Sequence, residues 1–434
     1  MHRFRSLLKL AAIAVLVAGC DATHLIGEDG PLTACSTDSD CALDQLCDVD
    51  RRLCVRQGTT RNIDILVLLD NSASMAVRQQ LFVSSFKLVF QQLEAVAASY
   101  HVAVATSDVG STVSPSASWG PIAGSCDTFA GDDGQLQTLP CTSRIGLSTK
   151  AAAACQALCP DPSFVPAKLP FIAKDGDSSN VPADLVAGPQ LGKLVDIGPQ
   201  RTFQCMAFVG DAGCGIEGQF EGAKRALDGH NAANSGFLRP DSVLAIIFLT
   251  DEDDCSVQEA RRSENDPQSH DCPAPDLDAP YDCYNPDYRC LARSVACNEP
   301  LNTPGVKTRC APRKDNYLEP VRKYIEFFSA LRPSNRLFIG GLWTLPALNQ
   351  GGILITTSPL TGSTESQFLD VSPQPCSSTR SGDPGSPQLR LSELVQAFAP
   401  RGGLEFDLCN EDVYALTLTS MMTTILSKAG LTPK

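Results

Sequence analysis

The chain has 434 residues, 43% hydrophobic and 19% charged, with 35 Lys and Arg against 49 Asp and Glu. That apolar share supports a sizeable core and excludes global disorder. A net charge of −14 excludes the basic stripe that nucleic acid requires, and attachment to anionic lipid by charge alone.

Arg3, Arg5 and Lys9 precede an apolar run, Leu10–Ala18, too short to span a bilayer but suited to a signal peptide over 1–19. The segment Leu16-Val17-Ala18-Gly19-Cys20 resembles the lipobox of bacterial lipoproteins, which implies that Cys20 carries a lipid and becomes the mature N-terminus. Residues 20–33 read as a tether, and 34–56 as a mini-module in which Cys35, Cys41, Cys47 and Cys54 fall close together. So short a stretch cannot bury a core, and two internal bridges are expected to constrain it. It resembles the cysteine-rich modules behind the signal in bacterial surface lipoproteins. Of 19 cysteines, an even number remains once Cys20 is set aside. Structural disulfides and export are therefore expected over zinc, because no C-x2-C pair occurs and histidines number only five.

From Arg61 the pattern becomes alternating. Ile63–Leu69 is a nearly continuous aliphatic run, the mark of a strand buried on both faces of a parallel sheet. The loop from Asp70 to Met75 leads into a helix over 78–99, with Leu81, Phe82, Phe86, Val89, Phe90, Leu93 and Val96 at helical spacing. A strand follows at 101–105. Residues 109–200 lose the rhythm and read as a disulfide-clipped insertion. Helix 219–227 and strand 243–249 resume it, ending in Thr250-Asp251-Glu252-Asp253-Asp254-Cys255. A second insertion covers 256–316. Then come helix 317–331, strand 337–342, helix 391–398, an edge strand at 404–408 and a closing helix at 412–427. This order predicts an α/β fold with a doubly wound, mostly parallel sheet over 61–430, and ligand chemistry at the carboxyl ends of its strands.

Two buried strands end in oxygen-rich loops, Asp70-x-Ser72-x-Ser74 and Asp251. Hydroxyls on alternate residues of a tight loop can face one hard cation, with carboxylates completing or hydrating its shell. Asp-x-Ser-x-Ser after the first strand, with a later Leu-Thr-Asp, resembles the metal-ion-dependent adhesion site of von Willebrand factor A domains. The resemblance implies Ser72 and Ser74 as direct ligands, Asp70 and Asp251 acting mainly through water, and an acidic group of a protein ligand at the remaining position. The family's further threonine ligand is missing from Gly213-Cys214-Gly215-Ile216-Glu217-Gly218-Gln219, where Glu217 is the oxygen donor placed to substitute. An extra carboxylate lowers the ion's residual charge, favours Ca²⁺ over Mg²⁺ and weakens its pull on an acidic ligand. The acidic run Asp251–Asp254 points the same way. Cys214 and Cys255 flank two of these loops and are a candidate bridge.

The expected function is that of a lipid-anchored, extracytoplasmic envelope protein that binds a protein partner through Mg²⁺ or Ca²⁺. One rival is a purely structural cation with recognition through the insertions. Another is a hydrolase with its site in an insertion. No Gly-x-Ser-x-Gly or His-Glu-x-x-His motif occurs, and His101 and His230 stand without a recognisable catalytic partner set, so no enzyme is expected.

Overall fold

The computed structural model describes residues 60–110, 131–188, 193–213, 217–258, 295–313, 318–345, 353–359, 367–372 and 388–431, with Leu291 and short stretches of 26–56. The signal peptide, Cys20 and Cys214 lie outside the described residues. Seven of the described strands form the central sheet. They are β1 (Asn62–Leu69), β2 (Ser99–Thr106), β3 (Ile172–Asp175), β4 (Ser178–Ser179), β5 (Val243–Leu249), β6 (Leu337–Trp343) and β7 (Leu404–Asp407). The order is β7-β6-β5-β1-β2-β3-β4. The first five in that order run parallel, and β3 and β4 continue the sheet through antiparallel pairings.

The aliphatic runs dictate this centre. β1 and β5 pair in parallel from Ile63 opposite Val243 to Leu69 opposite Leu249. Successive side chains point to opposite faces, so Ile63, Ile65, Val67 and Leu69 join one core layer and Leu66 and Leu68 the other. The first layer is closed by helices α1 (Ala76–Ser85), α2 (Lys87–Ala95), α3 (Thr149–Leu158), α4 (Gly198–Met206) and α8 (Tyr414–Lys428). The second is closed by α5 (Gln219–Leu227), α6 (Val321–Leu331) and α7 (Leu389–Phe398). Each fully buried Leu or Ile contributes about 1.5–3 kcal/mol, so the two central strands are held by apolar burial. Asp64 interrupts β1 and is buried, yet it accepts hydrogen bonds from Arg239 N and Nε (both 2.8 Å) and Ser242 Oγ (2.5 Å). Gly222 lets α5 ride close on β2, because a Cβ there would lie 2.5 Å from the Thr106 carbonyl oxygen.

Several boundaries differ from the sequence reading. The helix after β1 starts at Ala76, divides at Phe86 and stops before Ala97, whose φ of 49° is left-handed, and Ser99 already belongs to β2. The helix expected over 317–331 starts at Val321, because Pro320 is extended and restricts the residue before it. The stretch read as an insertion at 109–200 supplies β3, β4, α3 and the start of α4. Its Cys141, Ala151, Leu158 and Ile172 are buried in the first core layer, where Phe203 just beyond it stacks on Phe86 with ring centroids 4.0 Å apart, so the stretch is built into the core. Short strands of four and two residues carry too little periodicity to be read from sequence.

Disulfides pin the small pieces: Cys35–Cys47, Cys41–Cys54, Cys141–Cys155, Cys159–Cys205 and Cys297–Cys310. The mini-module thus carries the two internal bridges expected of it. The sulfurs of Cys35, Cys41 and Cys47 lie within 4.8 Å of one another, but all three are in disulfides and offer no thiolate to a metal. Disulfides in this number point to an oxidising, extracytoplasmic setting. Among the described residues, no helix is long and apolar enough to cross a membrane.

Candidate metal centre

The carboxyl ends of β1, β2 and β5 meet through main-chain bonds. Asp70 N donates to Leu249 O (2.9 Å), and Ser107 N to Leu69 O (3.1 Å). The loop before α5 is clamped between them, with Gly213 N on Asn71 O (2.8 Å), Gly218 N on Ser107 O (2.8 Å) and Cys255 N on Glu217 O (2.7 Å). A Cβ at Gly213 would come 2.2 Å from Asn71 Oδ1, so any larger residue here would have to displace the Asn71 side chain. The three loops singled out in the sequence therefore lie side by side.

Asp70 is fully buried and organises the first loop. Its Oδ1 accepts from Ser72 N (2.8 Å), and its Oδ2 accepts from Thr250 Oγ1 (2.7 Å) at the end of β5. The hydroxyl oxygens of Ser72 and Ser74 are 3.4 Å apart, with Ser72 buried and Ser74 half-buried beside the exposed Ala73. Asp251 and Glu217 are both buried. One oxygen of Asp251, Oδ2, is bonded to the guanidinium of Arg78, itself fully buried. The other, Oδ1, accepts no hydrogen bond of normal length from the described residues, although the Ser74 hydroxyl is close enough to favour its charged form.

Glutamine side chains brace the arrangement. Gln79 donates to the carbonyls of Asp70 and Gly210 (both 2.7 Å) and accepts from Val209 N and Gly210 N. Gln219 donates to Thr250 Oγ1 (3.0 Å) and Glu252 O (3.2 Å). Burial pushes the Asp70 carboxyl up, against the opposing bonds from Thr250 and Ser72. Burial likewise raises Asp251 to about 7, with Arg78 opposing and the negative charge of Asp70 adding to the shift. The charge of Asp70 acts on the buried Asp251 carboxylate, and such mutual repulsion favours a nearby cation, although the carboxylates of Asp70, Glu217 and Asp251 do not all lie within 4.8 Å of one another. An oxygen-only donor set with two hydroxyls and a half-bonded buried carboxylate fits a hard divalent ion.

The acidic run does not act as one unit. Asp253 turns away and accepts the main-chain N–H groups of Leu389 (3.0 Å), Arg390 (3.1 Å) and Leu391 (3.3 Å), so it caps α7. Asp254 pairs with Arg390 Nη2 (2.9 Å) and accepts from Phe220 N (2.9 Å) and Ser256 Oγ (2.6 Å). This narrows the expectation that the whole run Asp251–Asp254 lowers the ion's residual charge: a helix N-terminus and a guanidinium draw two of its carboxylates elsewhere. Cys255 is in a disulfide. His101 Nδ1 lies 2.7 Å from the Phe237 carbonyl oxygen, and His230 Nε2 lies 2.8 Å from Asp133.

Sequence reasoning missed Arg78, Gln79 and Gln219, and gave Thr250 no role of its own. The available signal was polar residues in the first turns of α1 and α5, directly beside the loops, where a purely amphipathic helix has no reason to bury them. No protein-family model matches the chain, and neither a curated protein nor a solved structure matches it.

Proposed function

We propose that this chain is an envelope lipoprotein, anchored through Cys20, whose doubly wound domain is of the von Willebrand factor A type and binds a protein partner through a divalent cation. Asp70, Ser72, Ser74, Glu217 and Asp251 would hold the ion. The observation that carries this reading is the buried, half-bonded Asp251 carboxylate beside Asp70 and the paired serine hydroxyls, all at the carboxyl end of the sheet. When bound, Mg²⁺ or Ca²⁺ would supply a Lewis-acidic position for an acidic group of the partner. The protein's own part is to hold the oxygen donors in place through Thr250, Gln79 and Gln219, and to leave the Ala73–Ser74 side of the loop open to solvent.

Calorimetric titration of the mature chain with Mg²⁺ and with Ca²⁺ tests this directly. The parent should bind one ion and Asp70→Ala none, while both keep a cooperative thermal transition. Equal binding by the two proteins would sink the assignment. For the anchor, Cys20→Ser should release the protein from membranes, and a variant that stays bound removes the lipoprotein reading.

A further inference from the structure

Arg78 is the element of this centre that the function proposed above does not use. It sits in the first turn of α1, directly after the Asp70–Met75 loop, is fully buried, and directs its guanidinium onto Asp251 Oδ2. Arginine does not deprotonate in proteins, so this is a permanent positive charge placed against a carboxylate of the cation site.

We propose that Arg78 is the resident counter-cation of the centre: it sets the site's net charge, keeps the loops assembled without a divalent ion, and holds down the affinity for that ion. The inference rests on the cation-site reading. Its logic is charge counting. Among the proposed ligands, Asp70, Asp251 and Glu217 would carry three negative charges when ionised around an ion, and Arg78 returns one positive charge. One divalent ion then brings the site to neutrality. Without Arg78 the loaded site would stay negative and repel an acidic ligand; with it, the additional carboxylate at Glu217 is compensated. Pairing a guanidinium with Asp251 also means that a metal-free chain does not leave this buried carboxylate without a counter-charge, which would be strongly destabilising. The cost falls on ion binding, because a fixed like charge nearby disfavours the incoming cation.

The test uses the mature chain with Mg²⁺ or Ca²⁺ alone, reading the dissociation constant by calorimetry and thermal unfolding in chelator and in saturating Ca²⁺. Arg78→Met should bind the ion at least about tenfold more tightly than the parent, as expected from removing a nearby like charge at an intermediate effective dielectric. Its melting temperature should fall in chelator and be restored largely by Ca²⁺. Arg78→Lys keeps the charge and should stay within about threefold of the parent affinity. A parent that binds with Arg78→Met unchanged or weaker overturns this proposal alone. So does an Arg78→Met protein that fails to fold even in saturating Ca²⁺, which would make Arg78 a structural brace, and so does an Arg78→Lys protein that binds as tightly as Arg78→Met. If neither parent nor variants bind an ion, the cation-site reading fails and this inference falls with it.

Discussion

Thr250 donates its hydroxyl to Asp70 Oδ2 at 2.7 Å, joining the ends of two parallel strands far apart in the chain. Thr250 Oγ1 in turn accepts from Gln219 Nε2 at 3.0 Å, so one hydroxyl connects the first loop, the third loop and the start of α5. Thr250→Val keeps the shape and removes both bonds. Loss of a buried hydrogen bond with its partners left behind costs about 1–3 kcal/mol. The urea midpoint should fall accordingly, and cation affinity should weaken because Asp70 is no longer oriented. A variant with the parent's stability and affinity would show that this bond is incidental.

Asp253 and Asp251 should separate cleanly by mutation. Asp253→Ala removes the cap of α7, and a lost cap costs about 0.5–2 kcal/mol. Cation binding should survive, since the Asp253 carboxylate is directed at Leu389, Arg390 and Leu391. Asp251→Asn should do the reverse and abolish cation binding. Calorimetry on the two variants decides the matter, and equal loss of binding in both would restore the acidic run as a single ligand set.

Lys428 gives the fold a dependence on alkaline pH. It is buried, and burial, reinforced by the Arg401 charge, lowers it to about 7. An unfolded lysine holds its proton to about 10.4. Between those values the unfolded chain binds more protons than the folded one, so raising the pH stabilises the fold. Below about 7 the contribution is flat, because both states carry the proton. The urea midpoint should therefore climb from pH 7 to 9 in the parent and climb less in Lys428→Met. The difference between the slopes is the readout, since the variant also loses the Nζ bonds to the Ser334 and Arg401 carbonyls. Parallel slopes would dismiss the buried charge as the cause.

Thiol titration of denatured, unreduced mature protein should find almost no free cysteine. Peptide mapping should recover Cys141–Cys155 and Cys159–Cys205 in particular. Two or more free thiols per chain would break the parity argument.

The central strands were legible because β1 and β5 are buried on both faces and so write unbroken aliphatic runs into the sequence. Asp70, Ser72, Ser74 and Asp251 were legible because they follow those runs directly. The short strands β3 and β4 were not, being too short for a period to show. Arg78, Gln79 and Gln219 escaped for a different reason. A polar residue on a helix is ordinarily solvated, and only the three-dimensional meeting of the loops makes its burial useful. The divergent roles of Asp251, Asp253 and Asp254 depend on where α7 and Arg390 arrive, and nothing within the run itself records that.

The pairing of β1 with β5 also orders events in time. Ile63 cannot meet Val243 until the long intervening segment has been made and its ends closed, a slow, non-local step. Cys35–Cys47, Cys41–Cys54 and Cys141–Cys155 span separations of only 12, 13 and 14 residues. In a chain that emerges N-terminus first, those bridges can be oxidised while Asp70 still waits for Thr250. The covalent clips can thus form early, whereas the loops carrying Asp70 and Thr250 come together only when β5 docks on β1.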